Sequence, residues 1–206
     1  QQIAHGQRYA LADEFVDIML KLWGSDENVS YQSERWTLEK AFVTPKPVHG
    51  RPVMVSATSS PAGIASAVKH ADLVFITSPA GARIDRALEA LPAINQAVKD
   101  GAAAQGRSVR TLINPLILCR DTEAEAWQAY REILDQADHG AVEGFFHSHA
   151  TGDSQSWRGH ERDERTVGGN IQIVGTPEQV VDQLLKLKAT GCDGIQICFF
   201  DYEPEL

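Results

Sequence analysis

The fold of this chain is decided by residues 52–77, which read PVMVSATSSPAGIASAVKHADLVFIT. Pro52–Ala57 is typical of a buried strand, Ala62–His70 of an apolar helix and Asp72–Thr77 of a second strand. The run Leu73-Val74-Phe75-Ile76 is apolar throughout, as in a strand that is covered on both faces. Because a strand, a helix and a strand follow one another here, the stretch predicts an α/β fold with a parallel sheet.

The same alternation continues on the C-terminal side of this stretch. It predicts helices Ala82–Ala104, Thr122–Asp138 and Thr176–Thr190, and strands Val109–Cys119 and Gly194–Phe200. A closed (β/α)8 TIM barrel needs eight strands and typically about 250 residues. The four parallel strands therefore predict the C-terminal half of such a barrel, and a free-standing doubly wound domain of four or five strands is the alternative.

The N-terminal part adds a helix and a small hairpin. Apolar residues recur at helical spacing over Tyr9–Trp23, and Gly24 ends the pattern. Val29–Ala41 alternates weakly, which predicts a β-hairpin, and Trp36 within it is a candidate for a dimer surface. The chain begins at Gln1 without a methionine, so we expect residues 1–206 to be one domain from the interior of a longer chain.

Composition restricts the classes of ligand. Of 206 residues, 43% are apolar and 23% charged, and the formal net charge is −9, which argues against nucleic-acid and anionic-membrane surfaces and favours a small ligand. No apolar run reaches the ~20 residues of a membrane span. We interpret Cys119, Cys192 and Cys198 as reduced residues of a cytoplasmic protein. The histidines at 139, 147, 149 and 160 predict no metal site, because no Cys or second ordered pair completes a tetrahedral set.

Ser59 and Ser60 stand where the first strand passes into its helix, ahead of Pro61. The first N–H groups of a helix lack internal partners and lie at the positive end of its dipole, so this helix start is a candidate phosphate site. An ordinary serine N-cap is the alternative.

Residues His139–Asn170 are rich in Gly, His, Ser, Arg and acids and show little periodicity. We predict that 139–170 is an irregular, mobile lid inserted in the barrel, with disorder as the alternative. Two lid residues, Arg158 and Arg165, are candidate catalytic groups, with Arg165 preferred because it is nearest to Gly168-Gly169. Pairing with the acids Glu161, Asp163 and Glu164 is the competing interpretation. Trp127 and Tyr130, on a predicted helix, are expected to pack in the core.

Four segments in order carry a family resemblance: RYALADEF at 8–15, SSPAG at 59–63, ADLVF at 71–75 and VGTPEQV at 174–180. Together they resemble the bacterial luciferase-like, flavin-dependent monooxygenases. The resemblance implies a TIM barrel, O2 as co-substrate, and FMN delivered in reduced form by a separate NAD(P)H-dependent flavin reductase. It also implies that Tyr9, Ser59 and Ser60 contact the FMN phosphate, with Arg8 and His5 as further candidates. Thr58 departs from the family pattern, which usually has Gly there, so the loop geometry is expected to differ if φ must be positive.

Within the family, GDSQSWRGH at 152–160, GGNIQ at 168–172 and FFDY at 199–202 are most similar to the dimethyl sulfone monooxygenases. That similarity implies oxygenation of a small organosulfur compound with C–S cleavage to a sulfinate and an aldehyde, in a homo-oligomer, a dimer or a tetramer. The alternatives are an alkanesulfonate or pyrimidine monooxygenase, a deazaflavin-dependent oxidoreductase and a non-catalytic flavin-binding protein.

Overall fold

A parallel sheet with helices packed on one face forms the body of the protein. The computed structural model describes residues 3–58, 60–78, 81–150 and 161–202. The strands are β1 Val29–Gln32, β2 Thr37–Ala41, β3 Val55–Thr58, β4 Leu73–Ile76, β5 Arg110–Ile113, β6 Leu116–Cys119, β7 Gln172–Gly175, β8 Gly194–Ile195 and β9 Cys198–Phe199. The helices are α1 His5–Gly24, α2 Pro61–His70, α3 Ile84–Ala103, α4 Glu123–Gln136, α5 His139–Ala150, α6 Arg162–Val167 and α7 Pro177–Ala189.

The parallel strands form two short sheets, one beyond the other along the strand direction. The first has the order β3-β4-β5-β8 and the second β7-β6-β9. The two long predicted strands are each divided in two, because Pro115 has no N–H for the ladder. The backbone pairing nevertheless continues across the break, since Gln196 N–H donates to the Ile113 carbonyl at 2.9 Å and Cys198 N–H to Pro115 at 3.2 Å. The four predicted parallel strands are present, and β7 is an additional strand that was not predicted. The burial predicted for the first strand is wrong, because β3 begins at Val55 and lies at the edge of its sheet, where Val55 is exposed.

The two faces of the first sheet have different surroundings. Val74, Ile76 and Ile113 point to the side covered by helices and belong to the main hydrophobic core, together with Leu91 of α3 and Leu187 of α7. The alternating residues point to the opposite face and are only half-buried: Leu73, Phe75, Leu112 and, beyond the break, Leu116. Helices on one face of parallel strands are the layering of a partial (β/α)8 barrel, whereas a doubly wound domain has helices on both faces.

The predicted N-terminal helix and hairpin are both present and pack on each other. The Tyr31 hydroxyl of β1 donates to Glu14 of α1 at 2.9 Å. The ring of Trp36 lies 5.6 Å from that of Phe15, so Trp36 is a packing residue within the chain. Its contribution to a dimer surface stays a prediction.

The irregular conformation predicted for 139–170 is wrong for much of the segment. Residues 139–150 form α5, and residues 162–167 form α6, whose start is closed by a capping box between Glu161 and Glu164. Among the described side chains of α5, which end at 148, Phe146 is the one large side chain that is buried, so the helix lacks the wide apolar stripe by which a sequence reveals an amphipathic helix. Residues 151–160 lie outside the described residues, and the mobility of the lid stays a prediction.

In the described part of the chain, no helix is long and apolar enough to cross a membrane. Cys119, Cys192 and Cys198 form no disulfide in the described part of the chain, and Cys192 is buried. One packing prediction fails: the side chain of Trp127 is 42% exposed, because α4 presents it beside the edge strand β7 rather than towards the sheet core. Tyr130, which is half-buried, packs against β7 as predicted and donates to Gln172 at 3.1 Å.

Candidate functional site

The carboxyl ends of β3 and β4 meet at one edge of the sheet, where Thr58 is in register with Ile76. Barrel enzymes bind their ligands at this end of the strands. At the same edge, the chain passes from β3 into α2, and α1 crosses the beginning of α2. This edge of the sheet is therefore a candidate ligand-binding site.

The start of α2 is an ordinary N-cap in its local geometry. The Ser60 hydroxyl accepts the Gly63 N–H at 3.1 Å, and the Ile64 N–H donates to the Ser60 carbonyl at 2.9 Å. Pro61 occupies the first helical position, where its missing N–H removes no helical bond. The Ser60 hydroxyl is therefore the N-cap of α2.

Two further hydroxyl groups border the first turn of α2. A Cβ atom on Gly63 would overlap the Thr58 hydroxyl and would lie 2.6 Å from the Tyr9 hydroxyl oxygen. Because glycine has no Cβ, both hydroxyls can approach the helix backbone at this position. Tyr9, Thr58 and Ser60 thus come from three different elements to one space.

Thr58 is the residue of this group whose polar side-chain atom is buried without a hydrogen bond. It is 5% exposed, and its hydroxyl has no hydrogen-bond partner among the described residues. A buried hydroxyl in that condition costs about 1–3 kcal/mol, which a ligand that bonds to it can recover. The backbone at Thr58 is ordinary strand, not a positive-φ conformation, so the strain considered for a threonine here does not arise.

The position of Tyr9 follows from the way α1 packs along α2. Tyr9 and Asp13 are four residues apart on α1 and share one face. The Asp13 carboxylate accepts hydrogen bonds from Ser66 and, at 2.8 Å, from Lys69, and it lies 3.4 Å from His70. Burial alone would raise the pKa of Asp13, but the hydrogen bonds from Lys69 and Ser66 outweigh it and hold that pKa below its ordinary value. The charged carboxylate therefore fastens α1 to the C-terminal half of α2.

A second feature lies beyond the carboxyl end of β5. A cavity of about 480 Å³ opens there between α5, the end of α6 and the half-buried face of the sheet. Its lining includes Arg165, whose guanidinium carbon lies 5.3 Å from the centre of the Phe146 ring, within cation–π range. The remaining lining residues are Leu116, Ala141, Val142, Phe145, Val167, Gly168, Gly169 and Asn170.

Thr58 ends β3, and the cavity includes Leu116, which lies just beyond the end of β5. Across the sheet, β3 and β5 are separated by two strand spacings of about 4.8 Å each. Along the strand direction, Leu116 lies about 10 Å beyond Ile113. The two displacements are perpendicular, so the cavity begins on the order of 14 Å from Thr58. A ligand with one end at α2 and the other at the cavity would run along the carboxyl ends of the strands.

The comparisons with known proteins agree with this architecture. A family model described as luciferase-like monooxygenase matches residues 2–194 of the 206. This chain belongs to the luciferase-like monooxygenase family. The curated relatives include an FMNH2-dependent dimethylsulfone monooxygenase of Pseudomonas fluorescens, which is 26% identical over 99% of this chain and 56% of the relative. They also include the pyrimidine monooxygenase RutA of Acinetobacter baylyi, 25% identical over 95% of this chain and 53% of the relative.

Solved structures of this luciferase-like type support the partial barrel. The crystal structure of DmoA from Hyphomicrobium sulfonivorans superposes with a TM-score of 0.78 at 20% identity, covering 98% of this chain and 53% of that chain. At this identity, the likeness concerns the fold. The chain spans about half the length of the curated relatives it matches.

The structure places the site residues expected from the luciferase-like resemblance in different parts of the molecule, and some of them lie outside the described residues. Tyr9 and Ser60 are brought together at α2, and Arg165 lines a separate cavity. Arg8 is half-buried and leaves α1 about 100° around the helix from Tyr9, and its role stays a prediction. Ser59, Arg158 and the side chain of His5 lie outside the described residues.

Sequence reasoning missed three features: the close approach at Gly63, the aromatic wall of the cavity, and the burial of the Thr58 hydroxyl without a partner among the described residues. A glycine in the third position of a helix was the available signal for Gly63. The half-buried Leu112 and Leu116 alternate with buried residues along the two strands. This alternation was the available signal for a sheet face that is not covered by helices.

Proposed function

We propose that this chain is part of an FMNH2-dependent monooxygenase and that the start of α2 binds the FMN phosphate. The observation that carries the proposal is the convergence of the Tyr9 hydroxyl and the buried, unpartnered Thr58 hydroxyl on the first turn of α2. Family membership supports the flavin, and the names of the dimethylsulfone monooxygenase relatives support its reduced form.

The residues present fit a phosphate group. Tyr9, Thr58 and Ser60 each carry a hydroxyl group, a type of group that can donate a hydrogen bond, and a phosphate oxygen only accepts hydrogen bonds. The α2 dipole adds a favourable field for an anion. Pro61 has no N–H and the Gly63 N–H is held by Ser60, so we propose that hydroxyl groups supply much of the hydrogen bonding to the anion. Ser59 remains a further proposed donor.

When bound, reduced FMN supplies the two electrons that activate O2, as it does in flavin enzymes generally. The chain's own residues bind, orient and exclude water. Tyr9 and the α2 start hold the phosphate and so fix where the rest of the cofactor can lie. The apolar walls from α5 keep water from the reaction, and the Arg165 guanidinium presents N–H donors to an oxygen that gains negative charge. Arg158 is proposed as a second lid cation.

The reaction proposed first is that named for the dimethylsulfone relatives. Dimethyl sulfone, O2 and FMNH2 would give methanesulfinic acid, formaldehyde, FMN and water, which balances in atoms and electrons. One oxygen atom enters the substrate carbon, the C–S bond breaks, and the other oxygen leaves as water. A separate NAD(P)H-dependent reductase would return FMN to FMNH2, in the cytoplasm, and the catalytic protein would be a homo-oligomer.

The phosphate site is tested by removing one hydroxyl in the intact protein. Tyr9→Phe is expected to weaken FMN binding roughly ten- to hundredfold, because a hydrogen bond to a charged group contributes about 1.5–3 kcal/mol. Tyr31→Phe is the matched control, since the Tyr31 hydroxyl bonds to Glu14 in the hairpin, away from α2. Flavin fluorescence titration gives both affinities, and equal affinities for the two variants would count against the site.

Turnover is tested with FMNH2, O2 and either dimethyl sulfone or uracil, with sulfinate and formaldehyde as products of the first. Uracil is included because a pyrimidine monooxygenase matches almost equally well. Oxygen consumption no faster than that of free reduced flavin would exclude the monooxygenase class for this protein and leave a deazaflavin-dependent enzyme or a flavin-binding protein.

A further inference from the structure

The first half of α1, which carries Tyr9, has no buried side chain among its described residues. Among the described side chains of the whole helix, Ile18 is the buried one, and it lies about 13 Å along the axis beyond Tyr9. Ala4, which precedes the helix, has no side-chain oxygen that could cap it. The approach of Tyr9 to α2 therefore depends on contacts that α1 makes between Tyr9 and Ile18.

Asp13 lies in that interval and faces α2. Its carboxylate accepts hydrogen bonds from the Ser66 hydroxyl and, at 2.8 Å, from the Lys69 ammonium group. Nε2 of His70 lies 3.4 Å from the same carboxylate without a hydrogen bond to it. The side chain of Asp13 is 18% exposed, and hydrogen bonds to a charged group are stronger where water has little access. One carboxylate thus joins the first half of α1 to the second half of α2.

The two helices run side by side in the same direction. Tyr9 lies at Gly63, where a Cβ atom would be 2.6 Å from the Tyr9 hydroxyl oxygen, and Asp13 lies at Ser66. Tyr9 and Asp13 share one face of α1 and are about 6 Å apart along its axis. Because one helical turn moves as a nearly rigid body, a shift of Asp13 relative to α2 would carry the Tyr9 hydroxyl with it. Hydrogen bonds weaken steeply with length and misalignment, so such a shift would weaken a bond from Tyr9 to a ligand at the start of α2.

We propose that Asp13 is a positioning residue for the flavin phosphate: its carboxylate fixes α1 against α2 and thereby places the Tyr9 hydroxyl at the start of α2. This inference rests on the proposed FMN site and adds a residue that acts through Tyr9. It separates two neighbouring carboxylates, because Glu14 accepts from the Tyr31 hydroxyl at 2.9 Å and joins α1 to the hairpin instead. Asp13 is expected to affect phosphate binding, and Glu14 is not.

Two flavins distinguish positioning from a general loss of structure. In Asp13→Asn, the FMN affinity of the intact protein is expected to fall about three- to thirtyfold, less than in Tyr9→Phe, because the bond to the phosphate is weakened and not removed. Riboflavin has the same ring system without the phosphate, so its affinity is expected to stay close to that of the wild type. Glu14→Gln is the matched control and should bind both flavins as the wild type does. An equal loss for FMN and riboflavin in Asp13→Asn would overturn the inference.

A double-mutant cycle tests whether Asp13 acts through Tyr9. If it does, Asp13→Asn should reduce FMN affinity little once Tyr9→Phe has removed the hydroxyl, so the two losses will not add. Ser66→Ala removes one of the hydrogen bonds to Asp13 and is expected to cause a smaller loss of the same kind, which also disappears in the Tyr9→Phe background. Additive losses in the cycle would contradict a positioning role.

Amide hydrogen exchange of the flavin-free protein gives a readout that does not depend on the FMN proposal. Amides of residues 9–13 are expected to exchange faster in Asp13→Asn than in the wild type, while those of residues 18–22 change little. Unchanged exchange at 9–13 would show that the inference is wrong and leave the phosphate site standing. If exchange rises as expected but Tyr9→Phe binds FMN as tightly as the wild type, the phosphate site is wrong and the positioning role falls with it.

Discussion

The two ends of the parallel strands differ in how completely their polar groups are satisfied. At the amino ends, Asp72 accepts hydrogen bonds from Arg51 at 2.6 Å and from the Met54 N–H at 2.9 Å. Asp193 accepts from the Thr111 N–H at 2.8 Å and from Lys99 at 3.0 Å. At the carboxyl ends, the buried Thr58 hydroxyl has no partner among the described residues, and Arg165 lines a cavity.

This difference indicates that the amino ends of the strands contribute to stability and the carboxyl ends to ligand binding. The ion pairs and hydrogen bonds at the amino ends join the starts of successive strands. They therefore stabilise the register of β3, β4, β5 and β8. At the carboxyl ends, the Thr58 hydroxyl is buried without a hydrogen-bond partner among the described residues, so it adds no stability there. In barrels of this kind, the amino end serves stability and the carboxyl end carries the chemistry.

The largest effect is expected from adding one methyl group at the carboxyl end. In Gly63→Ala, the new Cβ would displace the Thr58 and Tyr9 hydroxyls, and we expect FMN affinity to fall more than tenfold and stability to fall by about 1–3 kcal/mol. Gly101→Ala is the control, because its Cβ would meet Val68 at an ordinary 3.5 Å, and alanine stabilises a helix by about 0.5–1 kcal/mol. Flavin titration and urea unfolding measure both. Similar behaviour of the two variants would contradict the close approach at Gly63.

A smaller effect comes from exchanging a buried threonine for valine at each end. Thr58→Val removes a hydroxyl without a partner and is expected to leave stability unchanged or raise it by up to about 1 kcal/mol, while weakening FMN. Thr111→Val removes a hydroxyl that donates to Asp193 at 3.4 Å and is expected to lower stability by about 1 kcal/mol without affecting FMN. Urea midpoints that fall equally in both variants would remove the distinction between the two ends.

Acidification is expected to affect the amino ends, with little change until the pH approaches 4. The hydrogen bond from Arg51 holds the pKa of Asp72 below its ordinary value, although burial opposes it. A carboxyl whose pKa is lowered on folding stabilises the protein above its unfolded pKa, about 3.9, and this contribution is lost as the pH falls towards the folded pKa. The free energy of unfolding should therefore decline below about pH 4.

The Asp72→Asn variant checks the source of that decline. It should be less stable than wild type at neutral pH and lose less stability between pH 5 and pH 3, with FMN affinity at neutral pH unchanged. An identical pH dependence of unfolding in variant and wild type would show that Asp72 is not a source of the acid sensitivity.

Much of the fold could be predicted from local patterns, and particular elements show where that stops. The Pro61 helix start and the Thr122 and Thr176 caps follow short-range rules, and the structure has all three. Strand β7 has only four residues and exists because it pairs with β6, from more than 50 residues away in sequence. The helix α5 carries no clear periodicity, because Phe146 is the one large side chain that it buries among its described residues.

The sequence named Tyr9 and Ser60 as candidates, but their assembly with Thr58 and Gly63 was not predictable. The family resemblance pointed to Tyr9, Ser59 and Ser60, and a helix start is recognisable from serine and proline. Nothing local indicates that Thr58 is buried without a partner or that Gly63 gives two hydroxyls access to the helix. These facts depend on the docking of α1 along α2, which Asp13 fastens.

By itself, the sequence determined the alternation of strands and helices, the caps and the parallel sheet, because periodicity and first-turn hydrogen bonding act over a few residues. Only the tertiary structure decided which hydroxyls meet at α2, which face of the sheet stays half-buried, and that Arg165 lies over Phe146 beside a cavity. Those outcomes depend on helix packing and strand register between residues far apart in the chain, where each contact is set by the shape of the whole sheet.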